Sequence, residues 1–256
     1  MPHMLTTGAA GSAPTGENPR AKRANVDELI CWWSIPIFYQ IFALVFGYLT
    51  KIMRPPIPGP TLAQDGIIAF TLGNATHMQV GTVLLGIFLG FASMGTGVIV
   101  VQMRRMSISS VLPYGYLACG AAAALPGCYF CALLFSVAAF RPDRDPHLIA
   151  LLYDAGFAGF IGCLGCFATQ YVVFAVAIFL DRNRIFPKWL GYMTIWNFVT
   201  ELVAAPVWIF KRGPYAWNGL LSFYLGVVIF VVWIVCVIIY LKKAISNQPL
   251  GEVEPA

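Results

Sequence analysis

Six long apolar runs dominate the sequence, and each is about as long as a bilayer crossing of ~20 residues. They cover residues 30–50, 78–103, 112–140, 156–180, 189–210 and 219–241. A bilayer offers no water to free backbone N–H and C=O groups, so only helices and closed barrels can cross it. Barrel strands alternate in polarity over about ten residues, whereas these runs are longer and apolar on all sides. The sequence therefore predicts an all-α integral membrane protein, a bundle of six transmembrane helices.

The composition excludes most soluble classes of protein. Of the 256 residues 59% are hydrophobic and only 11% are charged, whereas a soluble domain carries about 25% charged residues. The net charge of +5 comes from Lys and Arg in short loops, which indicates membrane orientation rather than contact with nucleic acid. We find no motif for nucleic acid or for a cofactor in the sequence, so neither is predicted as a partner.

The distribution of basic residues predicts an orientation. With the amino terminus inside, ten Lys and Arg residues fall on the inner side and six on the outer side. The positive-inside rule then predicts that both termini are cytoplasmic. Five tryptophans fall near the predicted span ends, as expected of an aromatic belt: Trp32, Trp33, Trp189, Trp208 and Trp217.

The predicted domain organisation is a disordered cytoplasmic tail, a six-helix transmembrane domain and a second cytoplasmic tail, at residues 1–28, 29–245 and 246–256. The first tail is too polar to offset its ordering entropy by burial. Two outer loops carry apolar residues. Residues 62–75 predict a short interfacial helix, and 146–155, where Pro146 follows Asp145, either extend the fourth span or lie on the surface.

Glu201 is the first candidate for a functional residue. It lies near the midpoint of the fifth run, where a charge costs about 2.5 kcal/mol or more. Asn197 shares its face by helical spacing, and Pro206 deprives the Leu202 carbonyl of its usual donor. Glu201 and Asn197 are thus predicted to form a binding site, with Glu201 as proton carrier, cation ligand or general acid/base. The alternative is a protonated Glu201 that hydrogen-bonds a neighbouring helix as a structural contact.

A second polar group is predicted at the outer ends of two spans. Asp154 and His147 lie near the start of the fourth span, and Asp65, Asn74 and His77 near the start of the second. These residues predict one outer vestibule, with Asp154 and His77 as binding candidates. The alternative is ordinary polarity at a membrane interface.

Two C-x-x-C pairs lie in the third and fourth spans: Cys128 with Cys131, and Cys163 with Cys166. At overlapping depths, four thiolates could bind zinc or an Fe–S cluster. Free Cys also behaves as a small hydrophobe, and small residues favour helix contacts, so we favour a structural role and predict no metal. The three histidines of the chain are too few for a His-rich metal cluster.

Small residues and prolines predict details of the helix packing. The pattern Gly86-x-x-x-Gly90, with Gly95 and Gly97 beyond it, predicts a close helix contact. Pro36 and Pro126 predict kinks in the first and third spans.

Two motifs stand out in the last third of the chain, F-P-K-W-L-G-Y at 186–192 and F-K-R-G-P-Y-A-W-N-G at 210–219. They resemble motifs of an uncharacterised family of bacterial multi-pass inner-membrane proteins of unknown function. The resemblance implies a bacterial inner membrane and no particular activity. Both motifs also have a physical interpretation, in which Lys188 and Trp189 anchor a span and Asn218 caps the sixth helix.

Three functional hypotheses follow. The protein binds or transports a small lipophilic molecule around Glu201, or it is an accessory subunit without a site of its own. The third is a membrane enzyme that modifies a lipid or isoprenoid with Glu201 and Asp154 as acid and base, and it is the least favoured. Besides the lipid bilayer, a homo-oligomer or a membrane partner subunit is the predicted partner.

Overall fold

The computed structural model of the chain describes residues 19–162 and 165–248, with side chains at all of these except 19–25, Pro126 and Cys128. In this part every element is helical. The ten α-helices are α1 (Pro19–Trp32), α2 (Ser34–Ala43), α3 (Gln64–Gly73), α4 (Ala75–Arg104), α5 (Val111–Ala124), α6 (Cys131–Ala139), α7 (Pro146–Ile161), α8 (Gly165–Leu180), α9 (Lys188–Ala204) and α10 (Gly226–Ser246). Short π-helical or 3₁₀ segments extend several of them: Leu44–Leu49, Leu125–Phe130, Ala205–Trp208 and Leu220–Leu225.

Four helical stretches of the described residues are long and apolar enough to cross a bilayer. They are Val26–Leu49, Ala75–Arg104, Pro146–Leu180 and Leu220–Ser246, with mean hydropathies between 1.9 and 2.9. Val111–Ala124 is a shorter apolar helix. The all-helical prediction is confirmed for the described residues, and the four apolar helices are compatible with a membrane protein.

The first span is interrupted at Trp33, which separates α1 from α2. Pro36 has no N–H to donate to the Trp32 carbonyl, and its ring would clash with that carbonyl in a regular helix. In the third run, Pro126 lies in the π-helical turn Leu125–Phe130 between α5 and α6. Both predicted helix irregularities are therefore present, at Pro36 and at Pro126.

The end of α9 differs from the prediction. The helix stops at Ala204 and continues as a 3₁₀ turn that contains Pro206. The Ala205 N–H donates to the carbonyls of both Glu201 and Leu202. The Leu202 carbonyl was expected to lack a donor, but the tighter turn supplies one, as 3₁₀ geometry commonly does at a helix end.

The helices form a ring around a central space. Neighbours along the ring are α1, α4, α5, α8, α9 and α10, and α1 closes it by packing on α10. At that closure the Trp32 indole N–H donates to the Ile238 carbonyl at 3.0 Å, and the Lys242 ammonium lies 5.1 Å from the Trp32 ring centroid. Helix α2, which follows Trp33, packs on α4. It therefore diverges from α10, on which α1 packs.

The core of the bundle consists of two apolar clusters. One surrounds Met103 and Phe174 near Arg105, and the other surrounds Phe135 and Trp217. We call the two ends of the bundle the Arg105 end and the Trp217 end. Separate clusters at opposite ends leave the middle of the bundle less tightly filled than a single core would.

A buried polar network joins three segments at the Arg105 end. The Gln102 amide donates to Glu28 at 2.6 Å and to the Gln248 side chain at 2.9 Å. The Gln102 oxygen accepts from Arg105, which also donates to the Ala244 carbonyl at 3.2 Å. This network connects α1, the end of α4 and the end of α10, because a buried amide must satisfy both its donors and its acceptor.

The buried Asp181 joins two loops at the same end. Its Oδ1 accepts from the Ser107 and Asn183 N–H groups at 3.0 Å and 2.9 Å, and its Oδ2 accepts from the Ile185 N–H at 2.9 Å. The Lys188 ammonium donates to the Ile178 carbonyl at the end of α8 at 2.7 Å. Asp181, which the sequence marked only as the end of the fourth span, is thus a structural anchor.

Of the four glycines predicted to make a close helix contact, Gly95 makes the tightest and Gly86 a looser one, whereas Gly90 and Gly97 make none. A Cβ built on Gly95 would lie 2.5 Å from Cγ1 of Ile35, so only glycine permits this approach of α4 to α2. A Cβ on Gly86 would lie 3.3 Å from the Tyr129 ring, and one on Gly90 would meet nothing within 4 Å. The predicted contact at Gly86 and Gly90 is therefore wrong for Gly90, which faces away from the bundle.

The chain segments outside the spans differ in part from the predictions. Helix α3 occupies the loop that was predicted to be helical. Helix α7 begins at Pro146, and the side chain of the preceding Asp145 accepts a hydrogen bond from the His147 N–H at 2.8 Å. Asn218 does not cap the last helix, since its amide donates to the Ile57 carbonyl at 3.4 Å. Residues 19–28 of the predicted disordered tail are helical, and residues 1–18 and 249–256 lie outside the described part.

Candidate functional site

A cavity of about 620 Å³ occupies the middle of the bundle. All six apolar runs contribute to its wall, and so do residues of both apolar clusters. It lies where the two clusters leave space, at the level of Gly95 on α4, Gly120 on α5 and Trp233 on α10. Its wall is mostly apolar and aromatic, with a few polar side chains, which is the usual make-up of a small-molecule pocket.

Glu201 lies in this wall, one helical turn before the end of α9. Its carboxylate makes no hydrogen bond and no ion pair with any residue that the structure describes. No basic side chain in that part of the chain interacts with it either. An ionised carboxylate in an apolar environment is costly unless a partner compensates it, and no described residue compensates Glu201.

Aromatic rings from three other spans form the wall beside Glu201. Tyr171 on α8 lies close enough to interact electrostatically with the Glu201 carboxylate. Its ring meets the Trp233 ring edge-on with centroids 5.0 Å apart. Phe230 lies 5.9 Å from Trp233, and Tyr39 on α2 lies 5.6 Å from Phe230. All four rings line the cavity, so they form a continuous aromatic surface in the same wall as Glu201.

A hydrogen bond from outside the cavity fixes the orientation of the Trp233 side chain. Its indole N–H donates to the Thr194 hydroxyl at 2.9 Å, and that hydroxyl donates to the Leu190 carbonyl at 2.7 Å. Thr194 lies on α9, three residues before Asn197. Its role is to position an aromatic side chain of the cavity.

Other polar groups line the cavity. The side chains of Tyr116 and Gln170 hydrogen-bond each other, and the Thr96 hydroxyl donates back to the Ala92 carbonyl at 3.1 Å. Ser222 is buried in the wall, and its hydroxyl has no hydrogen-bond partner among the described residues. A ligand with one hydrogen-bonding group could therefore satisfy Ser222, whereas Thr96 already has an acceptor.

Asn197, predicted to share the site with Glu201, is buried behind it. It is 1% exposed and does not belong to the cavity wall. Neither polar atom of its side chain makes a hydrogen bond of good geometry with a described residue, although the Tyr171 hydroxyl is close to it. Asn197 therefore borders the ring next to Glu201 rather than the cavity itself.

The cavity reaches the surface of the bundle between α2 and α10. Gln40 and Ala43 on α2, and Val231 and Val235 on α10, are exposed and also line the cavity. These residues lie in the middle of two helices that can span a bilayer. The mouth of the cavity is thus on the side of the bundle, where lipid surrounds a membrane protein.

The predicted vestibule residues lie elsewhere. Asp154 and His77 are exposed, and neither lines the central cavity. Asp154 interacts electrostatically with Lys211, and Asn74 is buried, with its amide donating to the Phe70 carbonyl at 2.7 Å. The structure therefore does not bring Asp154 to the cavity wall beside Glu201, as an acid/base pair in this cavity would require.

The four cysteines are described only in part. Cys131 is buried in the cluster at the Trp217 end, whereas Cys166 is exposed. The side chain of Cys128 and all of Cys163 lie outside the described residues. Within 19–162 and 165–248, the structure contains no group of three or more His, Cys, Asp or Glu that could hold a metal ion.

A shallower cleft of about 480 Å³ lies at the Trp217 end. Lys211 and Arg212 face it across from Gly59. The Trp217 indole N–H donates to the Pro58 carbonyl at 2.8 Å, which joins this loop to the chain after the first span. The second sequence motif thus has a structural part in closing this end.

Five residues of the cavity wall were not predicted from the sequence: Tyr39, Gln170, Tyr171, Ser222 and Trp233. A signal for some of them was present, because Gln170 and Tyr171 interrupt the fourth apolar run near its middle. Polar and amphipathic side chains within a span usually face the bundle interior. No comparable signal distinguished Tyr39 or Trp233 from aromatic residues that face lipid.

No known protein family, curated protein or solved structure matches this chain.

Proposed function

We propose that this chain is a six-span membrane protein that binds a small lipophilic molecule in the central cavity and presents it to, or moves it through, the bilayer. Glu201 is the polar contact of that molecule. The observation that carries the proposal is an unpartnered carboxylate in the wall of an apolar cavity of about 620 Å³. Cavities of about 300–1,000 Å³ are typical for small ligands.

The position of the mouth supports a lipophilic ligand. Exposed wall residues on α2 and α10 lie at mid-span, so the shortest path into the cavity starts among the lipid chains. A molecule that partitions into the bilayer is concentrated at that mouth. A strongly hydrated solute would have to cross hydrocarbon to reach it.

The six-span topology is supported by the helices of the third and fifth runs. The third run forms α5 and α6 with a π-helical turn between them, and the fifth forms α9 and its 3₁₀ extension. Both belong to the ring that surrounds the cavity. With six spans and the ten-to-six division of basic residues, both termini are cytoplasmic by the positive-inside rule.

The proposal is tested by filling the cavity. Gly226 lines it, and a Cβ there would meet nothing within 4 Å, so Gly226→Phe places a ring in open space. Gly90 has equally open surroundings but lies on the exposed face of α4, which makes Gly90→Phe the matched control.

Each protein is purified in the same mild detergent, and its small-molecule content is extracted with organic solvent and measured by mass spectrometry. We expect a lipophilic compound that co-purifies with the wild type and with Gly90→Phe, and that is depleted about tenfold or more in Gly226→Phe. Identical extracts from all three proteins would contradict the proposal.

A further inference from the structure

The electrostatics of the cavity are one-sided. Glu201 brings an acidic group to the wall, and no Lys or Arg in the described part of the chain lines the cavity or interacts with that carboxylate. Whatever compensates its charge in the bound state therefore comes from the ligand. A ligand with a positive charge meets this requirement, because a charge pair removed from water is favourable only when both members are present.

The aromatic wall favours the same class of ligand. Tyr171, Trp233, Phe230 and Tyr39 form an unbroken series of ring contacts, with successive centroids 5.0, 5.9 and 5.6 Å apart. The negative faces of aromatic rings attract organic cations, and cages of such rings recognise ammonium groups. Glu201 lines the same cavity and interacts electrostatically with Tyr171, the first ring of the series. The charged and aromatic contacts are therefore available to one ligand at the same time.

A metal ion fits this wall poorly. Calcium takes six to eight oxygen ligands and magnesium requires an octahedral set, whereas Glu201 is the one carboxylate of the wall. The other polar wall groups are hydroxyls, the amides of Gln40 and Gln170 and the Trp233 indole, and several of them already hydrogen-bond within the protein. An organic cation needs no such set of oxygen ligands.

We infer that the cavity is selective for a lipophilic organic cation, an amine or a quaternary ammonium compound, with Glu201 as its counter-ion and the four aromatic rings as its cage. The inference rests on the proposed function and specifies its ligand. An apolar body of the ligand fills the remaining wall, and the ammonium group lies beside the Glu201 carboxylate.

The test compares two probes of equal shape and different charge, benzyltrimethylammonium and its neutral carbon analogue neopentylbenzene. Binding to the purified full chain is followed by the rise in Tm with probe concentration, since a ligand that binds the native state stabilises it. The variants are Glu201→Gln, Trp233→Leu and Tyr171→Phe. The control is Asp143→Asn, which neutralises an exposed carboxyl group in a loop.

For the wild type and Asp143→Asn we expect benzyltrimethylammonium to bind about tenfold or more tightly than neopentylbenzene. Glu201→Gln abolishes this preference and leaves the affinity for neopentylbenzene unchanged. Trp233→Leu weakens cation binding about threefold, a typical effect for one ring. Tyr171→Phe keeps its ring, so cation binding changes by less than about twofold.

Failure of the inference can be distinguished from failure of the proposed function. If neopentylbenzene binds as well as the cation, and Gly226→Phe blocks it, the inference is overturned and the proposed function stands. If neither probe binds and Gly226→Phe alters nothing, both are overturned. Equal loss of both probes in Glu201→Gln would mean that this side chain shapes the cavity without selecting a charge, which also overturns the inference.

Discussion

The rings of Tyr39 and Phe230 meet across the space between α2 and α10, with centroids 5.6 Å apart and ring planes inclined by 61°. These two helices flank the mouth of the central cavity, and both side chains belong to its wall. The pair therefore lies in the wall beside the mouth of the cavity. We expect a ligand that enters through this mouth to displace at least one of the two rings.

This contact predicts an effect on rates. Replacement of Tyr39 and Phe230 together by Ala should raise both the association and the dissociation rate of neopentylbenzene, because the obstacle acts in both directions. We expect rate changes of about tenfold and a change in Kd of less than about threefold. Stopped-flow measurement of tryptophan fluorescence reports the rates, since Trp233 lines the cavity.

The matched control for this prediction is Phe140→Ala, which removes a ring that is 66% exposed and lies outside the cavity wall. It should leave both rates as in the wild type. Unchanged rates in the double variant would mean that the ligand enters by another path.

The proposed topology predicts the behaviour of fusions to alkaline phosphatase, an enzyme that needs disulfides and so becomes active only outside the cytoplasm. A fusion after Asp143, between α6 and α7, should be active. A fusion after Ala256 should be inactive, because six spans return the chain to the side on which it began. The opposite pattern of activities would reverse the orientation, and activity in both fusions would exclude six spans.

The network at the Arg105 end predicts a loss of stability. Gln102 is 0% exposed and hydrogen-bonds both Glu28 and Gln248. Gln102→Leu removes both hydrogen bonds from this network, at a cost of about 1–3 kcal/mol, which should lower Tm in detergent. Gln79→Leu, on the same helix at a position without hydrogen bonds to described residues, serves as control. Equal Tm values for the two variants would show that the network adds no stability.

Two glycines of α4 predict opposite effects of the same substitution. Gly95→Ala forces a Cβ to 2.5 Å from Ile35, so α4 and α2 must separate at an expected cost of about 1–3 kcal/mol. A Cβ on Gly97 would meet nothing within 4 Å, and Gly97→Ala should stabilise the helix by about 0.5–1 kcal/mol. Thermal unfolding of both variants measures the difference, and a stable Gly95→Ala would argue against the close contact.

Several elements of the fold were predictable from the chain alone. Apolar runs of bilayer length predict helices because each helix closes its own backbone hydrogen bonds, whatever its neighbours are. Pro36 and Pro126 marked two irregularities for an equally local reason, the missing N–H of proline. Glu201 was identifiable as a candidate because a carboxyl group at mid-span is costly and therefore needs a reason.

The cavity was not predictable in the same way. Tyr39 and Phe230 are separated by most of the chain, and only the ring of helices brings them together. Gly95 lies close to Ile35 although Gly86 and Gly90 have the more familiar spacing. Asp154 has the right chemistry for a partner of Glu201, and yet it lies outside the cavity wall.

The sequence by itself determined that this chain folds into apolar helices, where prolines interrupt them and which carboxyl group lies deep within a span, since these properties depend on each segment and its solvent. Tertiary structure decided which faces of the helices meet, and hence that the two apolar clusters leave a cavity between them. In hydrocarbon all faces of such helices are apolar, so hydrophobicity does not select among them. The selection rests on steric fit and on a few polar contacts, such as Gly95 against Ile35 and Gln102 with Glu28.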